Sequence, residues 1–171
     1  MSGGVELLVV SLTVTAPRAV LPITPKQLRA WAWFQGPKSP WGRAENGPGR
    51  RSILLVEDDA DMAAMYRWRL EQAGFDVTVV RDGVEAMTVA QTLVHDLIVM
   101  DIGLPRQSGL EVIRLLRNEA TTQQVPIVVL SNYSEPEMIR LAHDFGVLAY
   151  LVKADVTPTQ LATRIKDWFS N

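Results

Sequence analysis

From residue 52 onward the chain repeats one pattern five times: an apolar run of strand length, then a longer stretch in which apolar residues recur at helical spacing. The five strand candidates are residues 53–56, 75–80, 97–100, 127–130 and 148–152, and the middle ones are apolar at every position. A strand that offers no polar face belongs inside a parallel sheet covered on both sides. The intervening segments carry stripes such as Leu110, Ile113, Leu116 and Leu161, Ile165, Trp168, which put one apolar face toward a core. Helix starts are marked by Ser108 with Glu111, Ser134 with Glu137 and Thr157 with Gln160, each with capping-box spacing, and by Pro158 at a first helical position. Five βα units in succession predict an α/β fold: a doubly wound five-stranded parallel sheet with five helices.

Residues 1–50 do not share this pattern. They hold six of the ten prolines, six of the eleven glycines and three of the five tryptophans, and show no sustained period, so an irregular, disordered extension is expected there. Stretch 5–14 is apolar, but no basic residue precedes it and Glu6 interrupts it, which argues against an export signal. A transit peptide finds no better support, and an over-extended reading of the gene stands level with any specific role. Met62, the next methionine, lies beyond the acidic cluster described below, so a shorter functional product is not expected to start there. Trp31, Trp33, Phe34 and Trp41 form an aromatic cluster that would serve as a docking patch, although such clusters in Pro/Gly-rich stretches are commonly unordered.

Charge and cysteine content exclude several functions. The extension carries six basic and two acidic side chains, whereas residues 51–171 carry eleven basic and seventeen acidic ones. An acidic domain is not expected to bind nucleic acid directly. The chain has no cysteine, which rules out disulfides and thiolate metal sites and suits a reducing cytoplasm. No apolar stretch is long enough to span a membrane.

In an open parallel sheet, chemistry gathers beyond the carboxyl ends of the strands. The first strand ends in Glu57, Asp58 and Asp59, the third in Asp101, the fourth in Ser131 and the fifth in Lys153. Clustered carboxylates repel one another, and a hard oxygen donor set without His or Cys selects Mg²⁺. A carboxylate beside that cation is a nucleophile toward phosphorus. Asp101 lies between the acidic pair and the hydroxyl and ammonium, so it is the expected acceptor, with Ser131 and Lys153 neutralising the charge of the transferred group. Taken singly, each of these residues has a plainer explanation: Asp59 and Asp61 as helix caps, Lys153 as a solvated lysine, Ser131 as a cap. Taken together, on four strand ends of one sheet, they define a site. His95 and His143, at or within helices, are read as surface or packing residues, and Met62, Met65 and Met87 as core filler.

The segments SILLVEDDADM, DLIVMDIGLPRQSGLEVI, VPIVVLSNYSE and AYLVKAD, in this order and spacing, resemble the receiver domains of bacterial two-component response regulators, in particular the single-domain regulators of chemotaxis type. The resemblance covers about residues 50–170 and sets the domain division at 1–50 and 51–171. It implies a flavodoxin-like fold with strand order 2-1-3-4-5. It further implies Asp58 as direct metal ligand, Glu57 holding a metal-bound water, the Gly103 carbonyl as a further ligand, and Asp101 as phosphoacceptor. Ser131 and Tyr150 match the switch pair, Lys153 the phosphate-binding lysine, and Pro105 and Gly109 the loop after the acceptor.

Where receivers usually have a cis proline after the lysine, this chain has Ala154; a cis bond there would cost about 2.5–4 kcal/mol, so a trans bond and an altered lysine approach are expected. Tyr133 is placed to shield the acyl phosphate from water. The implied partners are a sensor histidine kinase or phosphotransfer protein, and a downstream protein target bound through the face of helix four, strand five and helix five. Because the chain ends at Asn171, directly after the fifth helix, no separate output domain is expected. The activity expected is that of a magnesium-dependent phosphorelay switch with slow self-dephosphorylation, not of a metabolic enzyme. A phosphorylation-independent binding module is the alternative. A metal-dependent phosphohydrolase ranks lower, since its second acid/base aspartate would fall at Gly103.

Overall fold

The computed structural model describes residues 49–105 and 107–170; the apolar stretch 5–14 and the aromatic cluster at Trp31, Trp33, Phe34 and Trp41 lie outside the described residues. In chain order the elements are β1 (Ser52–Val56), α1 (Ala60–Gln72), β2 (Asp76–Val80), α2 (Gly83–Thr92), β3 (Leu97–Met100), α3 (Gly109–Asn118), β4 (Ile127–Ser131), α4 (Pro136–Asp144), β5 (Ala149–Val152) and α5 (Pro158–Ser170), with a 3₁₀ turn at Lys153–Asp155. The strands form one parallel sheet in the order β2-β1-β3-β4-β5, as expected. Strand bounds differ from the sequence reading by one residue at most at either end.

Two-residue alternation divides the central strands between two cores. Leu54, Val56, Ile98, Met100, Ile127 and Val129 face α2, α3 and α4, packing on Ala86, Ile113, Leu116 and Ala142. Ile53, Leu55, Leu97, Val99, Val128 and Leu130 face α1 and α5, packing on Tyr66, Leu70, Leu161 and Ile165. This two-sided burial is why β1, β3 and β4 are apolar throughout. Truncating any one of the leucines, isoleucines or Met100 among these to alanine would cost about 2–5 kcal/mol.

The helix termini show which cues carried information. At α5, the Gln160 side chain accepts from Thr157 N at 2.9 Å and Gln160 N donates to Thr157 Oγ1 at 3.2 Å, so the capping box forms behind Pro158. The other two boxes do not. Ser108 is the N-cap of α3 but its hydroxyl makes no cap hydrogen bond; the first turn closes on its backbone carbonyl instead. α4 begins one residue later than Ser134 predicts, with Glu135 as N-cap, because Pro136 supplies the first helical φ and has no N–H to satisfy. Just past the end of α1, Gly74 adopts a φ of +97°, with Gly74 N donating to Glu71 O and Phe75 N to Leu70 O, which turns the chain into β2.

Two packing expectations need correction. Met65 is 40% exposed, because the buried face of α1 runs through Ala63, Tyr66 and Leu70; Met62 and Met87 do pack against the cores. His95 lies between α2 and β3, not on a helix, and is buried; His143 is half-buried on α4. Burial lowers the His95 imidazole below its usual value, and His143 likewise.

Candidate functional site

The ladder hydrogen bonds run one residue past the strands. Asp101 N donates to Val56 O at 2.9 Å and Glu57 N to Val80 O at 3.1 Å, so the residues that follow β1 and β3 sit side by side at the carboxyl rim. Carboxylate oxygens of Glu57, Asp58 and Asp101 all lie within 4.8 Å of one another. Two oxygens on opposite sides of a Mg²⁺ ion, each at ~2.1 Å, are ~4.2 Å apart, so this donor set has the span and the hard chemistry for one divalent cation. Glu57 and Asp101 are buried and Asp58 is exposed, leaving the cluster open on one side. Asp59 is not part of it: its Oδ1 accepts from Asp61 N and Met62 N, both at 2.9 Å, and caps α1, as the simpler reading held.

Lys153 reaches into this cluster from the end of β5. Its Nζ stands 2.6 Å from Asp101 Oδ2 and 2.7 Å from Glu57 Oε2, with only 5% of the side chain exposed, so it is no solvated lysine. Burial opposes the ammonium charge, but the hydrogen bonds and charges of Asp101 and Glu57 outweigh it and hold Lys153 above the ordinary lysine value. Burial raises Glu57 above the usual carboxylate range, with Lys153 opposing. No described peptide bond is cis, so Lys153–Ala154 is trans as expected, and the lysine reaches Asp101 from the first position of the 3₁₀ turn.

The loop after β3 is drawn tight beneath Asp101. Gly103 N donates to Asp101 Oδ1 at 2.8 Å, fixing the carboxylate's orientation. A Cβ on Gly109 would stand 2.3 Å from the Asp101 carbonyl oxygen and 2.6 Å from Ile102 Cα, so no other residue lets the start of α3 pass this close to the Asp101 backbone. The Tyr133 ring overhangs the same place: its Cε2 and Asp101 Oδ1 are each 3.4 Å from the point where a Gly103 Cβ would be.

Ser131 is fully buried at the end of β4, and its hydroxyl accepts from Tyr133 N at 3.4 Å. Tyr150 is half-buried and donates its phenol to Tyr133 O at 2.9 Å, while burial pushes that phenol up to about 12. Sequence reasoning named both side chains but not the Tyr133 backbone that joins them. It also missed the Lys153–Glu57 pair, for which only the shared rim was a signal.

The family model described as "Response regulator receiver domain" matches residues 53–166. The DNA-binding response regulator MtrA of Mycobacterium tuberculosis is 35% identical over 117 residues, covering 68% of this chain and 50% of MtrA. The phosphate regulon transcriptional regulatory protein PhoB of Klebsiella pneumoniae is 37% identical over 116 residues, with the same two coverages. The chemotaxis response regulator CheY4 of Vibrio cholerae superposes with a TM-score of 0.64 at 27% identity, covering 70% of this chain and 98% of that one. The chain belongs to the response regulator receiver domain family, the signal-receiving module of two-component systems. It spans about half the length of the curated relatives it matches.

Proposed function

We propose that this domain is a phosphorelay switch in which Asp101 accepts a phosphoryl group from the phosphohistidine of a sensor kinase or phosphotransfer protein. The observation that supports it most is the convergence of the Glu57, Asp58 and Asp101 carboxylates within 4.8 Å at one rim of the sheet, with Lys153 ion-paired to Glu57 and Asp101. Asp58 and Asp101, with Glu57 through a water and the Gly103 carbonyl, would hold Mg²⁺, which when bound neutralises the acidic cluster and screens the phosphoryl oxygens. An Asp101 carboxylate oxygen attacks phosphorus; the P–N bond of the donor breaks, and the departing imidazole nitrogen keeps the electron pair and takes a proton from solvent. Lys153 leaves Asp101 Oδ2 to meet the phosphoryl oxygens, and Ser131 offers its hydroxyl to another.

The added negative charge then draws Ser131 toward Asp101. The Tyr133 backbone ties Ser131 to Tyr150, so this movement reaches the face formed by α4, β5 and α5, where a downstream protein would bind. The domain's acidic balance and the absence of cysteine suit a cytoplasmic protein partner over nucleic acid. None of the described helices is long and apolar enough to cross a membrane.

The direct test is to incubate the full chain with MgCl₂ and phosphoramidate and read the intact mass. One added phosphoryl group, lost in Asp101→Asn and on chelation by EDTA, is expected. A protein that gains nothing, yet binds its partner equally well as Asp101→Asn, would instead be a phosphorylation-independent module, the reading that Ala154 after Lys153 favours.

A further inference from the structure

α1 and the edge strand β2 leave an open groove between them, with a volume of about 310 Å³. Ala60, Ala63, Ala64 and Arg67 line it from α1, and Val79 and Arg81 from β2. Helical spacing puts these α1 residues on one side of the helix, so three methyl groups form a shallow apolar floor. β2 pairs with β1 on one side and with no described strand on the other, which leaves this flank of the sheet uncovered. Trp68, one turn after Ala64, is 61% exposed and extends the apolar surface past the groove.

Two guanidiniums border this floor. Arg67 is tied to Glu71, Nε to Oε1 at 2.7 Å, while 54% of its side chain stays exposed. The Arg81 guanidinium has no hydrogen-bond or ion-pair partner among the described residues; its backbone N–H alone is engaged, donating to Glu85 Oε2 at 3.1 Å. Methyl groups below and planar cations beside them suit a flat aromatic ring, which buries its apolar area while a guanidinium stacks on its face. A small anion would use the cations and gain nothing from the floor.

The chain carries such rings within reach. Trp31, Trp33, Phe34 and Trp41 fall inside eleven residues of an extension with six basic and two acidic side chains, joined to an acidic domain. The extension enters beside β2: Ser52 is in register with Asp76, and Arg50 Nη1 stands 3.8 Å from Asp76 Oδ1. Val79 is level with Leu55, six residues beyond Gly49, or about 20 Å along the sheet. The eight residues from Trp41 to Gly49 reach about 26 Å when extended, and the other three aromatics have longer leads. A tether this short holds the rings near the groove at roughly millimolar effective concentration, so a weak contact suffices to seat them.

We infer that residues 31–41 dock on this flank of the domain, with one indole on the alanine floor between Arg67 and Arg81. The groove ends at the carboxyl rim, since Ala60 follows the Asp59 cap and the carbonyl of Val80, just before Arg81, accepts from Glu57 N. The docked segment lies beside the acidic cluster, and its docking does not depend on which residue accepts phosphate.

The absence of cysteine makes disulfide trapping in the full-length chain a clean test. Ser39→Cys, two residues before Trp41, is combined either with Ala64→Cys in the groove or with Thr88→Cys on α2, across the sheet. Ala64 and Thr88 are both exposed, so neither change disturbs the core. With oxidised glutathione, the intramolecular bond should form at least roughly tenfold faster to residue 64 than to residue 88. Replacing Trp31, Trp33, Phe34 and Trp41 by serine should bring the two rates together, and Arg81→Ala should narrow the gap. Equal rates at the two positions, or a ratio that survives loss of the aromatics or of Arg81, would overturn the inference. So would a disulfide that forms only between chains, which would make a second copy the occupant of the groove.

Discussion

At the scale of single residues, the site is governed by what surrounds one carboxylate. Asp101 is oriented by Gly103 N, paired with Lys153 and overhung by the Tyr133 ring. The ring is placed to hinder a water that approaches an acyl phosphate on Asp101 from this side. Replacing Tyr133 by alanine should therefore shorten the lifetime of the phosphorylated form several-fold without slowing its formation, measured as loss of phosphoryl mass after removal of the donor. Unchanged decay would show that the ring shields nothing. The acidic residues and the lysine were legible in the sequence because each stands where an apolar run of strand length ends, a placement that folding alone does not require.

At the scale of elements, the βα repeats were readable wherever one periodicity dominated, and the errors fell where two local signals competed. Pro136 displaced the expected start of α4 from Ser134, and the face of α1 defined by Ala63, Tyr66 and Leu70 left Met65 in solvent. A connection with no periodicity of its own, between α3 and β4, is held by a residue that sequence reasoning passed over. Arg117 bonds four backbone carbonyls, Val125 O at 2.8 Å, Phe145 O and Gly146 O at 3.2 Å and Gln123 O at 3.3 Å, and burial pushes its guanidinium down to about 10. It thereby ties the end of α3 to the turn between α4 and β5. Arg117→Met keeps the volume but strands these acceptors, and should destabilise the domain by about 2–3 kcal/mol, read as a midpoint shift in urea. Lysine should not rescue it, since one ammonium lacks the planar fork that reaches acceptors on three sides.

At the scale of the whole molecule, five strand ends meet at one rim because parallel strands all point the same way, and it is this shared direction that turns residues more than forty positions apart into one site. Strand order was legible only through family resemblance, since five similar βα units contain no local instruction about which strand is central. The remaining structure is a scaffold that keeps Glu57, Asp58, Asp101 and Lys153 in register, and α4, β5 and α5 form the face that we propose reports their state. A phosphoryl group attached to Asp101 is what this arrangement requires. After reaction with phosphoramidate and Mg²⁺, borohydride reduction converts an aspartyl phosphate to homoserine, and peptide mass mapping then reads its position. Homoserine at residue 101 alone, absent when EDTA replaces Mg²⁺, is the predicted result; homoserine at another aspartate, or none at all, would contradict it.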